Sequence, residues 1–324
     1  MSGHMGRKLA LGTLDLGGEP SDLRVRGLRK SYEGFELRGI DLDLPRGSVM
    51  GLVGQNGAGK TTIMRAITGS LVPDAGEVEL FGHPVSQMGS GVLREAKGAI
   101  GFVSSTCPYP GELSVAQVAT MHALAYERFD WRLFQELSER MGLLPHDECP
   151  HRSHAARKRV RELSRGMGMK LQLACALATG ARVLVLDEPT AGLDPIVREE
   201  VLGILREWME AGDRSALISS HITSDLEHVA DYLLMVDDGR VVFQCERDLV
   251  NDVMGIARLR EAELERVRAD GLLKGAGARV LRRDLSYDLL VPDRAEFLRA
   301  YPLLACDAAD IDELMLLVVR GEEF

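Results

Sequence analysis

The sequence predicts an α/β protein: a buried, largely parallel sheet with a glycine-rich loop at one strand end, and a smaller α/β unit behind it. Three observations predict this. Short apolar runs at 49–53, 183–186 and 215–219 have the length of strands buried on both faces, with helical patterns at 61–68 and 198–209 beside them. A glycine-rich segment at 54–59 separates the first run from the first helix. After about residue 245 the pattern restarts, with strand candidates at 279–281 and 287–291 among new helical signals.

Composition bounds the answer. The chain has 324 residues, 45% hydrophobic and 27% charged, which are globular values. Lys and Arg number 39 against 49 Asp and Glu, a formal charge of −10, and this argues against a general nucleic-acid binder while leaving room for a local basic patch. Cys107, Cys149, Cys175, Cys245 and Cys306 form no CxxC pair, so structural thiols in a reducing compartment are expected. The start, MSGHMGRKLALG, lacks the apolar core of a secretory signal, and Ser2 to Met5 read as a cloning remnant. Apolar stretches such as 183–186 and 314–319 fall far short of the ~20 residues that span a bilayer. A membrane role is therefore expected to come through a partner.

The elements follow in chain order. Residues 23–44 alternate apolar and polar, with turns at Glu33-Gly34 and Pro45-Arg46-Gly47, which predicts two or three antiparallel strands. The run 49–53 is a short strand, 61–68 a helix ending near Gly69, and 77–81 and 99–103 are strands. From about 114 to 178 the period becomes helical, with one helix through Val115, Val118, Met121 and Leu124 and a second from Trp131 to Met141. This insert carries a basic run, Arg157-Lys158-Arg159 with Arg152 and Arg161, readable as a solvated face or as a contact to nucleotide or an acidic partner. Segments 233–236 and 240–244 form a hairpin about Asp237-Asp238-Gly239. Beyond it, 259–268 reads as an amphipathic helix, 271–277 as a loop, and 293–301 and 310–319 as helices.

Chemistry concentrates in a few segments. Gly54-Gln55-Asn56-Gly57-Ala58-Gly59-Lys60-Thr61-Thr62 matches G-x-x-x-x-G-K-[ST] between a predicted strand and a predicted helix, the context of a phosphate-binding P-loop. Backbone N–H groups turn inward there and the helix N-terminus adds positive potential. Lys60 is expected to reach the β- and γ-phosphates and Thr61 to ligate Mg²⁺. The apolar strand 183–186 ends in Asp187-Glu188, a Walker B arrangement with Asp187 near the metal and Glu188 as base or water-orienting group.

Leu163-Ser164-Arg165-Gly166-Met167 then resembles the LSGGQ signature of ABC ATPases in the form LSxGM, with Lys170 where that family has a basic residue. By itself this would be ordinary helix N-cap chemistry; its place ahead of the Asp187 strand favours the signature. Ala191-Gly192-Leu193-Asp194-Pro195 resembles the D-loop, His221 after Ile218-Ser219-Ser220 the switch histidine, and Tyr32 the aromatic that stacks on adenine. The resemblance covers about residues 23–244. It implies an ABC-type P-loop NTPase with a mixed RecA-like sheet core, an antiparallel β subdomain and a helical subdomain at about 106–178. Residues 1–22 form a tail and 245–324 a small C-terminal α/β appendage. The resemblance further implies a head-to-tail dimer, with itself or a paralogous ATPase, that sandwiches ATP. Each ATP is held by Asn56, Gly57, Gly59, Lys60, Thr61 and Thr62 of one subunit and by Ser164 and Gly166 of the other. Asp194 joins the nucleotide-binding set, Glu188, His221 and Lys60 are catalytic, and Thr61 and Asp187 hold Mg²⁺.

One departure stands out. The family has a glutamine after strand 99–103 that ligates Mg²⁺ and senses the transporter; here Ser104-Ser105-Thr106 stands, with Ser105 in the slot. A hydroxyl is shorter and reaches the metal only through water or a shifted backbone, and Gln117 lies too far along to substitute. More narrowly, LSRGM, SSHITSDLEHVAD and the appendage look like single-cassette ATPases of bacterial drug and antimicrobial-peptide exporters. Such a subunit works on the cytoplasmic face of the membrane with a membrane-spanning permease. Rival readings are an importer ATPase, a soluble ABC ATPase on ribosomes or nucleic acid, and a nucleotide kinase. The last two fit less well, because the chain is acidic, has one cassette, and carries segments a kinase does not need.

Overall fold

Alternation builds the first sheet. The structure is a computed structural model describing residues 20–144, 158–210 and 212–324. Ser2 to Met5, Cys149, Arg152 and Arg157 lie outside the described residues. Strand β1 (Ser21–Tyr32) pairs antiparallel with β2 (Phe35–Pro45), so two strands account for the alternating segment. Leu23 faces Leu44, Val25 faces Leu42 and Leu28 faces Ile40, all buried. Val25 and Leu28 lie three positions apart, an odd offset that would send them to opposite faces of a regular strand. A register shift at this point, with Gly27 at φ 57°, absorbs the extra residue and keeps both in the core.

The central sheet follows. β3 (Val49–Val53) leads into α1 (Lys60–Ile67); β4 (Ala75–Leu80) and β5 (His83–Pro84) complete the first sheet in the order β2-β1-β4-β5. Then come α2 (Ser90–Gly98), β6 (Ile100–Val103), α3 (Val115–Ala125), α4 (Trp131–Arg140), α5 (Arg165–Ala178), β7 (Val183–Asp187), α6 (Pro195–Met209), β8 (Ser215–Ser219), α7 (Thr223–Val229), β9 (Tyr232–Asp237) and β10 (Arg240–Glu246). The sheet order is β10-β9-β3-β8-β7-β6, parallel throughout except for β10 on the edge. Successive residues of β7 serve two cores: Val183 and Val185 pack toward α1 and the first sheet, Leu184 and Leu186 toward α5 and α6. Burial on both faces explains why these strands read as unbroken apolar runs.

The helical insert begins with a capping box at Ser114 and Gln117 and continues through an Asp130 N-cap on α4. Its third helix, α5, is buried along most of its length and packs against both α4 and β6. In the described part of the basic run, Arg159 and Arg161 both pair with Glu112, at 2.8 and 2.6 Å. That places them on a solvated face. Burial pushes the thiols of Cys175 and Cys245 upward, as expected of structural cysteines.

The last segment holds β11 (Gly255–Leu259), α8 (Glu261–Asp270), β12 (Arg279–Arg282), β13 (Tyr287–Val291), α9 (Arg294–Ala300), β14 (Cys306–Ala308), α10 (Ile311–Arg320) and β15 (Glu322–Glu323). Its antiparallel sheet has the order β14-β11-β13-β12-β15. Strand β13 sits between β11 and β12, the split βαβ arrangement of ferredoxin-like units. Ala257, Leu259 and Leu289 face α8 and α9; Ile256 and Leu290 face the opposite way, in the core that holds α10 and Leu226 of α7.

One sequence expectation is corrected here. The helix predicted from 259 begins at Glu261, because Leu259 ends a strand. With one face on its own helices and the other on the core that holds Leu226 of α7, β11 shows no alternation to read. Helices α2 and α7 and the short strands β14 and β15 also escaped the sequence pattern, being too short for a reliable period. Among the described residues, no helix is long and apolar enough to cross a membrane.

Candidate functional site

The parallel order β3-β8-β7 brings three strand ends to one edge of the sheet. From β3 the chain turns through 54–59 into α1. Gly59 is the N-cap of α1 at φ 113°, and a Cβ there would meet Leu37 Cδ2 at 2.6 Å, so only glycine fits. At Gly57 a Cβ would meet nothing within 4 Å, which leaves the mouth of the loop open to a ligand. Asn56 is exposed beside it, as is Thr61, and Thr62 is half-buried.

Lys60 is 6% exposed, and its Nζ donates to the carbonyls of Gly54 at 2.6 Å and Gln55 at 3.1 Å. Burial holds its ammonium below the ordinary lysine range, opposed by the charges of Glu188 and Asp187. The Thr61 hydroxyl donates to Asp187 Oδ2 at 2.9 Å, and Ser219 Oγ donates to Asp187 Oδ1 at 2.8 Å. A hydroxyl and a carboxylate side by side at the P-loop are hard oxygen donors of the kind magnesium takes alongside substrate phosphates. Among the described residues no cluster of three His, Cys, Asp or Glu offers an alternative metal cage.

Glu188 adopts φ 53°, uncommon for a non-glycine residue and often found at functional sites. Its N–H donates to both the carbonyl (3.2 Å) and the hydroxyl (3.0 Å) of Ser219, which holds the strained backbone in place. Its side chain is largely buried and meets His221: Oε2 lies 2.5 Å from Nδ1 and accepts from the His221 N–H at 3.3 Å. Lys60, Thr61, Asp187, Glu188 and His221 therefore form one connected edge, with Ser219 as the knot.

Ser164, Gly166 and Asp194 form a second group. Ser164 Oγ accepts from Met167 N at 3.2 Å as the N-cap of α5, and Asp194 Oδ1 accepts from Ile196 and Val197 as the N-cap of α6. A Cβ on Gly166 would meet Val197 at 3.2 Å, so the two helix N-termini pack closely. Ser164 is exposed, and among the described residues no hydrogen bond joins it or Asp194 to the P-loop. Lys170 pairs with Glu200 at 2.6 Å. Tyr32 ends β1 with 47% of its surface exposed. Ser105 is half-buried, and among the described residues it makes no hydrogen bond to Thr61 or Asp187.

Two residues missed in the sequence matter here. Besides Ser219, buried Gln172 on α5 grips the backbone of Ser104, accepting from its N–H at 3.0 Å and donating to its carbonyl at 3.2 Å. A glutamine inside an otherwise apolar helix was the available signal.

A phosphate loop, a paired metal-type donor set and a carboxylate–histidine pair on one sheet edge define an ATP-hydrolysing P-loop cassette. The family profile described as ABC transporter matches residues 37–191. The chain is 35% identical over 263 residues to the daunorubicin resistance ATP-binding protein DrrA3 of Streptomyces coeruleorubidus, covering 79% of this chain and 74% of that one. It is 32% identical to the phosphonates import ATP-binding protein PhnC of Wolinella succinogenes, covering 68% and 82%. Identity is also 32% to the lantibiotic transport ATP-binding protein SrtF of Streptococcus pyogenes, covering 70% and 91%. A solved ATP-binding subunit of an ABC transporter superposes with a TM-score of 0.60 at 23% identity over 71% of this chain and 91% of that one, a likeness of fold. The chain belongs to the ABC transporter ATP-binding family, and it binds and hydrolyses ATP.

Proposed function

We propose that this chain powers export of peptides or drugs through a separate membrane-spanning permease, as a peripheral subunit on the cytoplasmic face. It does so as a dimer with two ATP molecules at the interface. The observation that carries the reading is the split of the site: the hydrolytic edge lies on the sheet, while Ser164 and Gly166 stand apart at the N-terminus of α5. A helix N-terminus with an exposed hydroxyl suits the γ-phosphate bound by a partner subunit.

In this reading Gly57, Gly59 and the start of α1 cradle the phosphates, Lys60 neutralises the terminal ones, and Tyr32 stacks on the base. Thr61 and Asp187 hold Mg²⁺, which supplies charge neutralisation on the phosphate oxygens. Glu188 orients the attacking water and takes its proton, and His221 fixes the Glu188 carboxylate and faces the γ-phosphate. Loss of the bridging phosphate charge lets the subunits separate.

Export is supported by likeness to the drug-resistance and lantibiotic relatives; the importer relative keeps import as the second reading. Vesicles holding the permease and this chain test the direction, since ATP supplied on the chain's side should drive peptide or drug to the other side. Accumulation on the side where ATP is hydrolysed would establish import. Stimulation of the ATPase by RNA or DNA, absent the permease, would establish the nucleic-acid reading instead.

Ser105 occupies the slot of the metal-ligating glutamine in this reading. Because octahedral Mg²⁺ keeps several waters, a short side chain there should cost little binding. Ser105→Gln is expected to leave ATP affinity within about threefold and to change mainly the stimulation of hydrolysis by the permease. Identical stimulated rates in the two proteins would remove Ser105 from the metal shell.

We also assign residues 23–244 to the ATPase unit, with the helical subdomain at about 106–178, and 245–324 to a regulatory or dimer-stabilising unit. A chain ending at Asp248 loses α10 and with it the apolar cover of α7, including Leu314 and Leu317. It should keep ATP binding but melt roughly 5–10 °C lower, at about 2–4 °C per kcal/mol for a chain of this size. Loss of ATP binding with native circular dichroism would move the boundary.

A further inference from the structure

Asp225 lies outside every nucleotide-site motif, yet its carboxylate joins the segments that carry three of them. It sits on α7 with 1% of its surface exposed. Oδ2 accepts the hydroxyl of Thr190, and Oδ1 accepts Nε of Arg198. Arg198 also donates through Nη2 to Ser224 Oγ at 2.7 Å. Thr190 is buried and follows Glu188-Pro189, Arg198 lies in the first turns of α6 just beyond Asp194, and Asp225 follows His221 along the chain.

We propose that Asp225 is a positioning residue for ATP hydrolysis, holding the His221 turn in register with Glu188 and tying that register to the N-terminus of α6. The inference rests on the roles proposed above for Glu188 and His221. The His221 ring is half-exposed, and its hydrogen bonds among the described residues go to Glu188 alone, so its place must come from the backbone. That backbone is a tight turn. Ser220 Oγ accepts from Ile222 N at 2.9 Å and donates to Ile222 O at 3.1 Å, and Asp225 N donates to the same carbonyl at 3.1 Å. Pinning Asp225 therefore pins the downstream end of the turn.

A buried carboxylate between a hydroxyl and a guanidinium cannot slide without breaking a charge-assisted bond in a low-dielectric setting. Movement of the α6 N-terminus, where Val197 lies against Gly166, thus reaches the Glu188–His221 pair through Arg198 and Asp225. Helix α10 packs against α7 and backs this arrangement.

The test uses the full chain with Asp225→Asn, Thr190→Val and Thr190→Ser, comparing kcat, KM for ATP and the His221 imidazole proton resonance, assigned by its loss in His221→Ala. Misplacing a catalytic pair by a fraction of an ångström is expected to lower kcat on the order of tenfold, with KM within about threefold. Thr190→Ser, which keeps the hydroxyl, should recover most of the rate lost in Thr190→Val, and the His221 resonance should move in Asp225→Asn and Thr190→Val. If Asp225→Asn fails to fold by circular dichroism, Thr190→Val carries the test. Native kcat in the folded variants, or an unmoved His221 resonance, overturns the inference. The underlying reading fails separately, by native turnover in Glu188→Gln.

Discussion

Glu188→Gln is expected to bind ATP with native affinity and to hydrolyse it about 10²–10⁴-fold more slowly, the range that a positioned general base contributes. The substitution keeps the shape of the side chain and removes its charge and basicity. The backbone that presents it depends on the N–H to Ser219, which survives the change. The contacts to His221 are reorganised, since an amide no longer offers a charged acceptor to Nδ1. Nothing in the phosphate loop is altered, so affinity by calorimetry should hold while phosphate release falls. With the bridging γ-phosphate retained, the variant should also persist as an ATP-bound dimer, seen as a doubled mass in light scattering. Turnover near the native rate would remove Glu188 from the chemistry.

Lys60→Ala is expected to fail one step earlier. A charge-assisted contact to phosphate contributes about 1.5–3 kcal/mol, so ATP affinity should fall roughly 10- to 100-fold. The ammonium lies against Gly54 and Gln55 at the base of the loop, held there by a buried stem. Alanine removes the charge without disturbing Gly59, whose backbone shapes the loop. Calorimetry with ATP measures this directly, and unchanged affinity would show that the loop does not bind phosphate through Lys60. The two variants separate binding from turnover: one binds without hydrolysing, the other scarcely binds.

Residues 54–62, Asp187-Glu188, Leu163 to Met167 and His221 were legible in the sequence because each motif is local. A P-loop must carry its glycines, lysine and threonine in one stretch, since neighbouring backbone groups make the cradle. Strands β3, β7 and β8 were legible for a related reason: their burial on both faces leaves an apolar run that sequence displays directly.

What only the tertiary structure decided is where distant residues meet. Ser219 touches Asp187 and Glu188 because β8 lies beside β7, and no spacing along the chain encodes that neighbour. Gln172 reaches Ser104, and Asp225 reaches Thr190 and Arg198, although 27 to 68 positions of sequence separate them. The C-terminal unit shows the same limit, as β11 divides its side chains between its own helices and the core under α7. Sequence alone determined the glycine-rich loop between β3 and α1 and the short motifs proposed to act in hydrolysis, because hydrogen-bonding groups close in the chain act together. The third dimension decided which side chains hold those motifs in register, because burial and hydrogen bonding depend on contacts that only the folded chain brings together.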